Sequence, residues 1–287
     1  MGLLVAAGVA APSLAWAQPA DLFYERAVMA AADQRCGLFA PEISAALAAA
    51  AAQAHGAALR AGTSSESLTA LERTAQAKAA QAACGSPDIA TAAARVKAAF
   101  SGYARITRLT YAGDVAGWQA DRNLGKTARW RLAQETAFGP DRLTFGLAGM
   151  EGADALVALA RFADDAQPYA ARLVMRDAAR APQPYLDRWG AGSTATLPLA
   201  RRLPPPGATK AYAAQARAPA GVDLLPKGAE SGWTFRFPDA AAAELASLDP
   251  REAVAVEFLF PGDQVRRAYV EVGDFAAGRA FLRVAAR

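Results

Sequence analysis

The hydrophobic period of this chain changes once, near Ala128, and that change sets what it can fold into. Before it, apolar residues recur every third or fourth position, as on one face of a helix. After it they alternate, as on a half-buried strand. Long helices followed by strands argue against the alternating pattern of a parallel sheet and for an α+β architecture. The expected fold is an N-terminal antiparallel helical bundle stapled by a disulfide. A mainly antiparallel, sandwich-like β domain follows, with a short C-terminal helix.

The first helix is expected from about residue 20 to 35, ending at Cys36-Gly37. Pro41 opens a second that runs to Ala61-Gly62, with Ile43, Leu47, Ala51, Ala54 and Ala58 along one face. Thr63 with Glu66 reads as a capping box for the third. Its stripe is Leu68, Leu71, Ala75, Ala79 and Ala82, and it ends at Cys84-Gly85. Ser86 caps the fourth, with Pro87 in its first turn and a stripe from Ile89 through Ala93, Val96 and Phe100 to Tyr103. In an up-and-down bundle helices one and three run the same way, so Cys36 and Cys84 fall at the same end. Axes about 8 to 10 Å apart bring them within reach of a disulfide. The bridge stabilises by about 4 kcal/mol through the unfolded chain, which matters because alanine stripes bury little area per residue. With no C-x-x-C spacing and no adjacent base, the pair reads as structural rather than redox-active. Two sulfurs and the single histidine, His55, make a poor metal set.

The start of the chain gives an address. Leu3 to Ala11 is an uncharged apolar run, Pro12 breaks it, and Ala15-Trp16-Ala17 has the small-x-small pattern of a signal-peptide cleavage site. Residues 1–17 are therefore expected to be removed after Ala17, leaving a periplasmic or secreted protein in which paired cysteines oxidise. The segment lacks the Lys or Arg of an ordinary n-region; an uncleaved anchor is the weaker reading, since a run this short spans a bilayer poorly. The 53% hydrophobic content is inflated by alanine, and no transmembrane segment is expected in the mature chain. The expected division is 18–112 helical bundle, 113–127 linker or short helix, and 128–287 β domain. The short helix would be capped by Asp114 and run through Val115, Trp118 and Leu124.

In the β domain, Trp130 to Thr136 alternates and turns at Gly139-Pro140-Asp141 into Leu143 to Leu147. Ala155 to Phe162 and Tyr169 to Met175 continue an antiparallel meander, separated by Asp164-Asp165. The stretch 181–232, which holds Pro204-Pro205-Pro206-Gly207, reads as stiff loops with short strands near Ala195 to Leu199 and Ala211 to Ala216. A strand at Trp233 to Phe237, a helix at Ala240 to Leu248 and a hairpin of Val254 to Phe260 with Arg267 to Val272 follow. An amphipathic helix from Phe275 to Val284 turns Phe275, Phe281 and Leu282 to the sheet. Ala268-Tyr269-Val270-Glu271-Val272 running into Gly273-Asp274-Phe275-Ala276-Ala277 resembles the C-terminus of the invasion-associated locus B family and related periplasmic β-sandwich proteins. The resemblance covers roughly the final fifty residues. Asp274 separates Gly273 from Phe275 here, and the family's β-domain cysteines have no counterpart. It implies a periplasmic β-sandwich and nothing about catalysis.

The functional reading proceeds by weighing what chemistry the residues allow. A net charge of +4, from 31 basic and 27 acidic residues, is scattered. Arg201-Arg202 and Arg266-Arg267 are too short for a phosphate-tracking patch, so they read as solvated and nucleic acid is not an expected partner. Gly125-Lys126-Thr127 lacks the first glycine of a phosphate loop, since Ala120 stands there. Ser193 lacks both glycines of a nucleophile elbow, and the sole histidine lies in the bundle, which argues against a Ser-His-Asp hydrolase. No catalytic, cofactor-binding or metal-binding residue is assigned, and no cofactor is expected; Cys36 and Cys84 are the only site residues named. Asp164-Asp165 reads as a loop pair ahead of a calcium site. Trp118, Trp130, Trp189 and Trp233 are candidates for a binding face, with Trp130 and Trp233 read rather as core. The leading expectation is an exported, envelope-associated binding or interaction protein without catalysis of its own, its partner an envelope protein or a glycan. Its contact surface would be the β domain's loops or the groove between domains. The alternative is a carboxylate-dependent hydrolase of cell-wall or other glycans, using a pair from Glu135, Asp154, Glu257 and Glu271.

Overall fold

The structure, a computed structural model, describes residues 18–123, 125–150, 155–186 and 194–284. The expected signal segment 1–17 lies outside these residues, as do Leu124, Asp154, Trp189 and Ser193. Four helices come first: α1 (Pro19–Cys36), α2 (Pro41–Arg60), α3 (Ser65–Gln81) and α4 (Pro87–Tyr103). Proline opens three of them, where its missing N–H costs nothing. Gly37 follows α1 in the left-handed conformation at φ 60° and donates its N–H to the Asp33 carbonyl. The cap of α3 is Ser64 rather than Thr63: its hydroxyl accepts the Ser67 N–H at 3.1 Å, which leaves Glu66 in the first turn rather than closing a box. Likewise α3 stops at Gln81, short of Cys84. Arg35 of α1 donates to the carbonyls of Ala80 and Ala82, tying the two C-terminal ends together. The disulfide Cys36–Cys84 joins that end, with the Cα atoms 5.6 Å apart. Ala32, Ala75 and Ala79 are almost fully buried, so the small side chains serve close helix approach.

The remaining elements are β1 (Arg108–Tyr111), β2 (Trp118–Asp121), β3 (Arg129–Phe138), β4 (Asp141–Gly149), β5 (Ala155–Arg161) and β6 (Ala170–Arg176). They continue with β7 (Thr209–Ala213), β8 (Ala216–Pro219), β9 (Trp233–Arg236), α5 (Asp239–Leu245), β10 (Ala253–Phe260), β11 (Gln264–Glu271) and α6 (Phe275–Leu282). Seven strands form one antiparallel sheet in the order β1-β2-β3-β4-β5-β9-β8, and four form a second in the order β11-β10-β6-β7. The short helix expected from Asp114 is corrected: Asp114 to Gly117 forms the loop between β1 and β2, and Trp118 begins β2. Tyr111, Trp118 and Ala120 alternate into the sandwich core and are buried there, so tertiary burial outweighs the local capping signal. The strand expected near Ala195 to Leu199 is also corrected, to a turn and a 3-10 turn at Leu199–Arg201. No helix among the described residues is long and apolar enough to cross a membrane.

Both sheets turn aromatic side chains to one shared core. Phe138 of the larger sheet stacks on Phe258 of the smaller at 5.7 Å, and Phe162 and Phe235 close on the same ring at 5.4 and 5.5 Å. Between Trp130 and Leu132 the register of β3 slips against β4. Opposite the slip Gly146 stands at φ 153°, where a Cβ would sit 1.9 Å from the Leu132 carbonyl oxygen. At the corner where the sheets meet, Gln134 serves the free edge of β11: its amide donates to the Glu271 carbonyl at 3.2 Å and accepts the Glu271 N–H at 2.9 Å. Gln134 is a buried polar residue that closes an edge, and β3 alternates from Leu132 onward, past the slip where Arg131 and Leu132 are both buried.

The helices pack onto this sandwich through α2 and α6. Gly56 of α2 lies so close to α6 that an added Cβ would fall 2.3 Å from Asp274 Oδ1. Val284, just past α6, joins Ala46, Phe100 and Ala104 in a shared apolar cluster. On α6, Phe275 and Phe281 are fully buried, Phe275 at 5.0 Å from Trp118, as the amphipathic reading expects. Replacing Cys36 and Cys84 by Ser is expected to lower the unfolding free energy by up to about 4 kcal/mol. The urea midpoint of the native chain should fall with reductant and that of the variant should not; a native midpoint indifferent to reductant would contradict a structural role.

Candidate functional site

A buried ionized side chain must find a partner or a set of dipoles, and this requirement shapes the junction between helices and sandwich. Arg60, at the end of α2, makes a two-pronged ion pair with Asp274 at the start of α6, with contacts of 2.5 and 2.9 Å. Burial pushes the Asp274 carboxyl upward, against the pull of Arg60. Arg60 is itself desolvated, yet Asp274 holds it above its ordinary value. Arg202, with no exposed side-chain surface, reaches Asp114 at 3.0 Å and Glu271 at 3.6 Å. Glu271 also accepts three backbone N–H groups, from Asp114, Val115 and Ala116, at 2.7 to 2.9 Å. Arg122 has no carboxylate partner among the described residues. It donates instead to the carbonyls of Tyr103, Ala104, Ile106 and Val284, the first two at the end of α4, and lies 4.3 Å over the Phe281 ring. Carbonyls at a helix C-terminus suit a cation there.

The acids singled out from the sequence separate into three situations. Glu271 is wholly buried in the junction and holds the β1–β2 loop. Glu257 lies in mid-sheet on β10, opposite Arg172 on one side and Arg267 on the other, and pairs with both. Burial alone would raise its pKa, but the two arginines hold it below the ordinary carboxylate range. Glu135 is exposed on β3 and has no hydrogen-bond or ion-pair partner among the described residues. Asp164 gives both oxygens to Arg266, while Asp165 adopts φ 55° in the turn. The reading of the arginine pairs as solvated is corrected at Arg202, which is buried, because Asp114 and Glu271 reach it from elements distant in sequence.

Among the concave surfaces of the described residues, two lie beside His55 and Glu135. One lies between the helices and the sandwich, a groove of about 320 Å³ with Asp274 and Gly56 at its base and His55, Glu72, Phe23 and Leu248 around it. His55 packs edge-on against Phe23 at 5.1 Å, and its desolvation lowers its pKa against the opposing fields of Asp249 and Glu72. The second runs across the outer face of the seven-stranded sheet as two depressions of about 500 and 360 Å³ that meet at Glu135 and Thr144. Trp130, read from the sequence as core, is half-buried on this outer face, and its indole N–H donates to the Leu224 carbonyl at 2.9 Å. Trp118 is fully buried, and half-buried Trp233 carries the Arg217 guanidinium at 3.6 Å.

The sheet register tests whether an acid pair forms on this face. Gln119 lies opposite Ala133, which puts Asp121 two residues to one side of that point and Glu135 two to the other. The two acids of the larger depression are thus about 13 Å apart along the sheet, beyond the roughly 5 to 10 Å of a glycosidase pair. Arg142 and Arg161 stand directly opposite each other on β4 and β5 at the far end of the smaller depression. Sequence reasoning named Glu135 but missed the arginine pair, because only strand register makes these residues neighbours.

No protein-family model matches this chain, and no curated protein or solved structure is significantly similar to it.

The lowered pKa of His55 fixes a sign for stability. The folded state favours neutral imidazole, so stability from this group is present above the unfolded value near 6.5 and is lost as pH falls below it. Urea midpoints measured from pH 7.5 to 5 should decline, and His55→Gln should flatten that decline; an unchanged slope in the variant would assign it to other groups.

Proposed function

We propose that this protein is an exported, envelope-associated binding protein without catalytic activity of its own, and that the outer face of the seven-stranded sheet is its contact surface. The observation that carries the reading is a contrast in how charges are satisfied. Glu257 and Glu271 have their hydrogen-bonding capacity taken up inside the molecule. On the outer face Glu135, Arg142 and Arg161 have no ion-pair partner among the described residues, beside a half-buried tryptophan. A concave surface with unspent polar groups and an aromatic side chain suits recognition. Export is supported by the leader-like residues 1–17 and by the disulfide, which persists in oxidising compartments.

The hydrolase reading gains no support from the register, since it leaves Glu135 distant from the other acid of its depression. The test is crosslinked capture of the mature protein from its native envelope, run beside Glu135→Ala/Arg161→Ala and beside Arg73→Ala, an exposed position on α3 that lines neither depression. A stoichiometric protein or glycan captured by the native chain and the remote variant, but lost with the face variant, is the expected result. Equal capture by all three, or cleavage of envelope glycans by the native protein, would overturn the proposal.

A further inference from the structure

The two ends of the outer-face groove differ in chemistry, and the difference suggests what lies in it. At one end Trp130 borders the larger depression with Gln119 and the Arg108–Asp121 ion pair. In the middle exposed Glu135 offers its carboxylate, beside the largely buried Thr144 with which it pairs across β3 and β4. At the other end Arg142 and Arg161 face each other across the β4–β5 pair. Like charges directly opposite on neighbouring strands destabilise a sheet. Here neither arginine has a carboxylate partner among the described residues; Arg142 donates only to the Asp141 carbonyl. Two guanidinium forks so placed form a receptor for an external carboxylate, which each fork can bind through charge-assisted hydrogen bonds.

We infer that the groove binds an acidic glycan, with a sugar carboxylate held between Arg142 and Arg161 and further rings running toward Trp130. The inference rests on the proposed binding role of this face and names its ligand class. Trp130 and Ala137, which pairs with Arg142, are seven positions apart on β3, a run of about 23 Å. That length accommodates several sugar rings in a row. The groove lies across the face of the sheet; only its Trp130 end reaches the edge strand β1, at Arg108 to Thr110, and the two arginines stand on the inner strands β4 and β5. An extended peptide, which adds to a sheet edge through main-chain hydrogen bonds, is poorly served by it. A chain of hydroxyls with periodic carboxylates matches Gln119, Glu135 and Thr144 followed by two arginines.

Calorimetric titration of the mature protein with hexagalacturonate tests this, beside neutral cellohexaose, monomeric galacturonate and hexaglutamate peptide. Saturable one-to-one binding of hexagalacturonate is expected, with monomer and neutral oligomer each at least about tenfold weaker. Arg142→Gln/Arg161→Gln should weaken the acidic oligomer by about tenfold or more while the urea midpoint holds or rises, because the variant relieves the like-charge pair. Equal affinity for hexaglutamate would show a general polyanion site and overturn the glycan assignment, as would absence of saturable binding or indifference to the double substitution. Envelope capture that depends on the same face without hexagalacturonate binding would leave the binding role standing and remove only this ligand.

Discussion

Burying charge at a junction is the constraint on which the rest of this molecule depends. The alanine stripes of α1 to α4 bury too little area to hold a bundle firmly by themselves. The sandwich leaves Glu271 and Asp274 at its closing corner, away from water. Arg60, Arg122 and Arg202 answer both needs. Arg60 ties α2 to α6, Arg122 ties the end of α4 to the end of the chain, and Arg202 brings a distant loop to Glu271. Breaking one partner of such a pair leaves an uncompensated buried charge, which costs more than the intact pair contributes. The disulfide then secures the other end of the bundle, remote from this junction.

That arrangement explains why the carboxylates, which carry the hydrolase reading in the sequence, divide as they do. Glu271 cannot leave its three N–H donors without releasing the loop that enters β2. Glu257 sits as the shared acceptor of a row across three strands, where removing it would set Arg172 against Arg267. The outer face of the larger sheet stands apart from this internal economy of charge. Trp130, at the register slip of β3, and Pro226, on the loop whose Leu224 carbonyl accepts the Trp130 indole N–H, both line its depressions.

Much of the architecture was legible because local signals and burial agreed. Pro19, Pro41 and Pro87 mark helix starts and Gly37 a stop; the apolar runs of β4, β5 and β10 mark strands buried on both faces, while β3 alternates beyond its slip at Trp130. The cysteine pairing followed from a chain with two cysteines, an expected export address and helix directions that bring both to one end. Where the reading failed, a distant partner decided. Asp114 looks like a cap, but its N–H and its carboxylate are both engaged from far along the chain, by Glu271 and Arg202. Trp130 alternates like a core residue until the slip in β3 turns it outward. The candidate site was half legible: Glu135 could be named from strand pattern, whereas Arg142 and Arg161 become neighbours only once β4 pairs with β5. Arg122 carried no sequence signal, since a guanidinium satisfied by carbonyls has no complementary acid to find.

The central claim is that helices and sandwich unfold as one unit because a buried ion pair couples them. A double-mutant cycle on Arg60→Met and Asp274→Asn, followed by urea unfolding with far-ultraviolet and tryptophan signals together, tests it most directly. Each single substitution should cost about 3 kcal/mol, and the double should cost clearly less than their sum, with both probes reporting one coincident transition. Additive losses, or a helical transition separate from the tryptophan transition in the native protein, would contradict the account.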